Sequence, residues 1–326
     1  MGLRVRAAVA AVGFEVISMK AQIVNGWPKE NRIRILITDS DASQVNSLRR
    51  TILSDVPKMA ITKVRIEQGT NVDENGNINE SVNVLPDEQL AHRLAMVPIP
   101  TFLDEFLFPE DDPNNENLAE DQWGSPQSQI IYHCSVKGPE ADSEDEFKVV
   151  HASDLNVLGE SKLQISDEHA RIPLTLLASG QYLEFYAYAS LGRGRDHAKW
   201  APAAAVGFEP HKLAKLDKPR KAKALYDLDL KLSTGKNVDA KLFTKGVCDD
   251  IDDVIALQRA MHQVGAGTGR EDDFDNAIIF EDIPGEFILT FESDGALNPT
   301  AIFNCAIKEL ASRFEKIQQE VDLALA

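Results

Sequence analysis

The sequence predicts an α+β fold. Three observations carry this reading: a strand running into a capped helix between residues 31 and 57, a succession of short alternating strands between 129 and 192, and an amphipathic helix over residues 299–326. At 326 residues, 43% hydrophobic and 26% charged, the composition is that of a folded chain with room for more than one domain. With 52 acidic against 34 basic residues the formal charge is -18, which argues against broad clinging to nucleic acid. The three cysteines, Cys134, Cys248 and Cys305, are widely spaced without a C-x-x-C pair, which excludes a disulfide framework and predicts a cytoplasmic chain. No stretch reaches the roughly 18 apolar residues of a membrane span.

Residues 1–18 read as a flexible N-terminal extension. Arg4 and Arg6 before "AAVAAVGF" resemble a weak signal peptide, but Glu15 cuts the apolar run, and Met19 is an alternative start. In "NRIRILITDS" Ile33, Ile35 and Ile37 share one side of a strand. A helix follows, capped by Asp41 or Ser43, with Val45, Leu48, Ile52, Leu53 and Val56 at helical spacing until Pro57 stops it. "MAITKVRIEQGT" predicts a strand, "NVDENGNINE" a turn, and "PDEQLAHRLAMVPI" a short helix ending before Pro98. Residues 101–127, acidic and carrying three prolines, read as a mobile excursion. "QIIYHCSVKG", "EFKVVHAS" and "QYLEFYAYASLG" alternate as strands do. Between 211 and 283 the pattern is less regular, holding the basic stretch "KLAKLDKPRKAK", expected as a solvated loop, and a helix near "DDIDDVIALQRAMHQV". "GEFILTFES" is a strand. Asn298 then caps a helix with Pro299 in its first turn, and Phe303, Ile307, Leu310, Phe314, Ile317, Val321 and Ala324 recur in 4-3 steps. Such a stripe fits either a core helix or a seam for another subunit.

No motif supplies enzymatic chemistry. "NVDENGNINESV" places Asn71, Asp73, Asn75, Gly76 and Ile78 as a calcium loop would, but Val82 stands where a bidentate glutamate is required. The clusters "DDIDD" and "EDDFD" read as solvated loops or helix starts. His92, His133, His151, His169, His197, His211 and His262 show no zinc-site spacing. "LGRGRDHAKWAPAAAVGF" lacks the glycine pattern of a dinucleotide loop and the Gly-Lys-Ser/Thr of a P-loop. It reads instead as a tight turn after a strand, with Gly192 and Gly194 allowing close approach and Arg193, Arg195, Lys199 and Trp200 projecting outward.

Taken in order, "NSLRRTILSDVPKMAITKVRI", "LPDEQLAHRLAMVPI" and "LGRGRDHAKWAPAAAVGF" resemble the family that comprises the D-type subunit of archaeal RNA polymerase, the third-largest subunit of eukaryotic RNA polymerase II and, more distantly, the bacterial alpha subunit. The resemblance extends from about residue 19 to the end of the sequence.

It implies a discontinuous dimerisation domain, a sheet with two interface helices, formed by residues 19–58, 183–210 and 284–326 and interrupted by a β-rich insertion domain at 59–182. Family members carry no active site. They pair with a smaller homologous subunit, L-type in archaea, and nucleate assembly of the catalytic subunits. By resemblance Val45, Leu48, Arg49, Ile52 and Leu53, with Phe303, Ile307, Leu310, Phe314, Ile317 and Val321, would meet that partner. Arg193, Arg195, His197, Lys199 and Trp200 would dock on the second-largest, catalytic subunit. Small zinc-binding polymerase subunits are further candidate neighbours, DNA is reached only through the complex, and no membrane is involved. Many archaeal relatives hold iron-sulfur cysteines in the region matching 211–283, and eukaryotic ones a zinc loop after the match to "RLAMVPI". Here the first region holds only Cys248 and the second no cysteine, so no metal and no cofactor are expected, and 211–283 is expected as a metal-free remnant of a ferredoxin-like domain. A stand-alone acidic ion-binding protein or an unrecognised enzyme is the competing expectation.

Overall fold

The computed structural model describes residues 3–4, 19–72, 76, 78–140, 142–265 and 276–325. The calcium-loop positions Asp73 and Asn75, the cluster "EDDFD" and nearly all of the N-terminal extension therefore lie outside the described residues. The fold is mixed α+β, and the chain divides into two compact units.

The first unit draws on residues up to 27, on 34–47 and on 207–290. Its sheet is built from β1 (Leu3–Arg4), β2 (Lys20–Ile23), β3 (Arg32–Thr38), β12 (Ala203–Leu216), β13 (Val247–Cys248) and β14 (Ile278–Ser293), in the order β1-β2-β3-β14-β12-β13. The alternation of isoleucines decides how β3 lies, because successive side chains point to opposite faces: Ile33, Ile35 and Ile37 are buried and their neighbours are not. Helix α1 (Ala42–Ser54) starts at Asp41, whose Oδ1 accepts the amides of Ser43 at 2.8 Å and Gln44 at 2.9 Å. The Ser43 hydroxyl, then the Gln44 amide, hold the Asp41 carboxyl below its ordinary pKa.

The basic stretch at 212–223 is a correction to the expected loop. It forms the end of β12 and the start of α3 (Pro219–Tyr226), because Ala214, Ala222 and Leu225 are buried. Ala214 and Leu225 join Leu232, Val238, Phe243 and Cys248 and, from α4 (Ile251–Gly265), Val254 and Leu257 in a small apolar core of their own. Of the "DDIDD" acids at the start of α4, Asp249 and Asp250 are exposed, as expected of a helix start, whereas Asp252 and Asp253 are engaged internally. Asp252 pairs with Arg34 and accepts the Trp27 indole N–H at 3.1 Å, while Asp253 pairs with Lys236 at 2.5 Å.

The second unit comprises residues 28–33, 48–206 and 291–326. Its strands are β4 (Pro57–Ile66), β5 (Thr70–Val72), β6 (Ile78–Ser81), β7 (Gln129–Lys137), β8 (Phe147–His151), β9 (Asn156–Val157), β10 (Pro173–Ala178) and β11 (Gln181–Arg193). β11 is the spine: antiparallel to β7 from Tyr182 to Ser190 on one edge and to β4 from Phe185 to Arg193 on the other, where β6 adds a short parallel pairing. The inward residues Phe185, Tyr132, Met59 and Ile61 meet Leu90 and Leu94 of α2 (Asp87–Ala95) in the main core. Tyr132 donates its hydroxyl to the Leu163 carbonyl at 2.5 Å, and burial pushes its phenol well above its ordinary pKa.

Residues 101–127 are built into the fold rather than loose. Phe102, Leu103, Phe106 and Phe108 pack on the core, and 3-10 turns at Pro109–Asp111, Pro113–Asn115 and Glu120–Gln122 fold the rest. Most of the acids face outward, but buried Asp112 caps the second of these turns by accepting the Asn114 amide at 2.9 Å. The last element is α5 (Pro299–Leu325), with Asn298 as its cap.

Phe185 tests the position of the core. Phe185→Ala should lower unfolding free energy by about 3–5 kcal/mol, read as a lower urea midpoint with an unchanged slope.

Candidate functional site

The loop after β11 is held down by its two glycines. A Cβ on Gly192 would stand 2.2 Å from the Trp200 ring, and one on Gly194 would stand 2.0 Å from the Leu53 carbonyl oxygen. Trp200 is therefore folded back over its own strand, donating its indole N–H to the Ser190 carbonyl at 3.1 Å. Lys199 lies 4.4 Å from the centre of the Trp200 ring, and partial burial lowers its pKa. His197 accepts the Lys199 amide on Nδ1 at 3.1 Å and is otherwise exposed.

The two arginines differ. Arg193, its side chain only 18% exposed, pairs with Glu309 at 2.8 Å, donates to the Asp55 backbone carbonyl and stacks on Phe108. Arg195 is 54% exposed, with its amide on the Ser54 carbonyl at 3.0 Å and its guanidinium 3.8 Å from Asp55 Oδ1. The Asp55 carboxylate, 2% exposed, accepts Arg313 on Oδ2 at 2.5 Å, whereas Oδ1 is buried without a hydrogen bond. Close by, the nearly buried Lys58 pairs with Asp294 at 2.5 Å. The end of α1, the 193–200 loop and α5 thus meet on buried charge.

The two helices place the remaining candidates unequally. Val45, Leu48 and Ile52, expected at a partner surface, are completely buried, because the apolar stripe of α1 packs within this chain. Arg49 and Leu53 of that helix stay half-exposed. On α5, Phe303 is buried and Ile307 and Leu310 are half-buried, but Phe314 is 61%, Ile317 56% and Val321 47% exposed. The outward set is therefore Arg49, Leu53, Phe314, Ile317 and Val321 with Arg195 and His197. Arg193 and Trp200, expected to project outward, are instead committed to contacts inside the chain.

The model of the RNA polymerase Rpb3/Rpb11 dimerisation domain matches residues 34–314. The chain belongs to that family. It is 29% identical to DNA-directed RNA polymerase subunit Rpo3 of Picrophilus torridus over 90% of this chain and 97% of that protein. Against Rpo3 of Thermococcus kodakarensis it is 28% identical over 90% and 95%. DNA-directed RNA polymerases I and III subunit rpac1 of Dictyostelium discoideum is also 28% identical, over 86% of this chain and 76% of the relative.

In this member of the Rpb3/Rpb11 family, sequence reasoning missed Asp55, Lys58, Asp294, Glu309 and Arg313. Asp55 stood in a helix-stop signal, and the others bind partners far away along the chain. One signal was available: Glu309 and Arg313 are four residues apart on a helix, hence on one face.

Substituting either loop glycine tests this packing. With Trp27 and Trp123 changed to Phe, Gly192→Ala should displace Trp200 and shift its fluorescence to the red. Gly194→Ala should lower stability by about 1–3 kcal/mol through overpacking against Leu53, read by chemical denaturation.

Proposed function

We propose that the chain is a non-catalytic assembly subunit of DNA-directed RNA polymerase, pairing with a small homologous subunit of the L type and docking the second-largest catalytic subunit. The family match carries the polymerase assignment. The single observation that supports pairing is the far half of α5, where Phe314, Ile317 and Val321 lie bare at heptad spacing. A helix of the partner would cover them, with Arg49 and Leu53 of α1 as flanking contacts. Leu48, Ile52 and Phe303 shape that surface from beneath.

Docking of the second-largest subunit is assigned to the outward part of the loop, Arg195, His197 and the edge of Lys199, presented by Arg193 and Trp200 from below. Small zinc-binding subunits are further neighbours on this reading, and DNA is met only through the complex. The dimerisation domain comprises 19–58, 183–210 and 284–326, with 59–182 as insertion domain. The 211–283 segment is a ferredoxin-like remnant whose apolar core around Leu225, Phe243 and Leu257 supports folding without metal. The cytoplasm is the compartment this reading assigns. Among the described residues no helix is long and apolar enough to cross a membrane.

The pairing test uses Phe314→Glu with Ile317→Glu. Both side chains are exposed in the lone chain, so its thermal midpoint should hold while the heterodimer on size-exclusion chromatography is lost. A heterodimer that persists removes α5 from the interface. For docking, Arg195→Ala with His197→Ala should leave the heterodimer intact and weaken capture of the second-largest subunit about tenfold or more, since buried arginine anchors commonly contribute about 2 kcal/mol. Unchanged capture in reconstitution would overturn the loop assignment.

A further inference from the structure

We infer that the Asp55 carboxylate couples the two assembly surfaces, so that fixing α5 strengthens docking at the 193–200 loop, and docking strengthens pairing in return. The coupling itself stands on geometry; its consequence for assembly rests on the surfaces assigned under the proposed function. Asp55 brings one negative charge, almost wholly buried, to the meeting of two elements. Arg313 of α5 neutralises it from one side through Oδ2. Arg195 of the loop stands 3.8 Å from Oδ1, near enough to feel the charge and too far for a hydrogen bond. Arg193 closes the same circuit, joining the Asp55 carbonyl to Glu309, one helical turn before Arg313.

A buried carboxylate cannot be left without a cation except at large cost. When Arg313 is held in place, Arg195 is free to keep its outward pose and meet a partner. When α5 frays and Arg313 leaves, Arg195 is the cation left beside the carboxylate and is drawn toward it, changing the loop. Each partner therefore stabilises the arrangement that the other recognises, and linkage makes the effect reciprocal.

Arg313→Gln tests this, because Arg313 is half-exposed and reaches the loop by way of the Asp55 carboxylate. In the free chain, hydrogen exchange at the Arg195, Asp196 and Trp200 amides should accelerate about fivefold or more. Arg195→Gln should accelerate exchange across residues 305–312. Unchanged loop exchange in Arg313→Gln, or equal acceleration in the β7 amides, would overturn the inference. The second readout is affinity for the purified second-largest subunit, with and without the purified small subunit. Wild type should show a ratio of about tenfold, within the usual range of coupling between sites, and Arg313→Gln a ratio near one. A wild-type ratio of one also refutes the coupling. Coupled exchange without any binding of the second-largest subunit supports the coupling and removes the docking assignment.

Discussion

The second unit depends on β11 being hydrogen-bonded along both edges. Its ladders with β7 and β4 fix the register of three strands at once, and a slip of one residue would turn Phe185 and Ala187 outward and Tyr186 inward. The same ladder reaches Arg193, so the strand delivers the loop to the end of α1 with little freedom. Gly192 and Gly194 then sit where backbone and indole come too close for any Cβ. The loop's shape is thus a consequence of sheet register.

Upon that frame, buried charge does what apolar packing cannot. Leucine-rich surfaces tolerate small rotations, but an ion pair such as Lys58–Asp294 accepts few geometries, and breaking it leaves a charge in a poor solvent. Asp55 and Lys58, only three residues apart, fix two different distant segments: Arg313 on α5 and Asp294 before it. The α5 helix is therefore anchored at its start and again in its middle, and its remaining turns are exposed.

Much of this was legible in the sequence because the signals were local. The Asp41 and Asn298 caps, the isoleucine alternation of β3 and the strand "QYLEFYAYASLG" follow from short-range rules. The α5 stripe was legible as a pattern, but its division into a buried start and a bare end depends on where the fold stops. Patterning also could not separate core from interface on α1, since Leu48 would be apolar in either place. The 101–127 segment misled because its charge count hid four aromatic and aliphatic anchors, Phe102, Leu103, Phe106 and Phe108. Arg193 and Trp200 misled for a related reason: residue types suited to binding a partner are equally suited to holding a loop.

The bare end of α5 bears on how the protein is produced. A helix of 27 residues is about 40 Å long, and its apolar far half remains wet for as long as a copy is alone. Unmatched copies would attract one another, or any passing chain with a similar stripe, through that half. On the proposed pairing, colloidal stability becomes a function of stoichiometry: balanced synthesis of the two subunits would keep that half covered, and a surplus of this one would register as self-association.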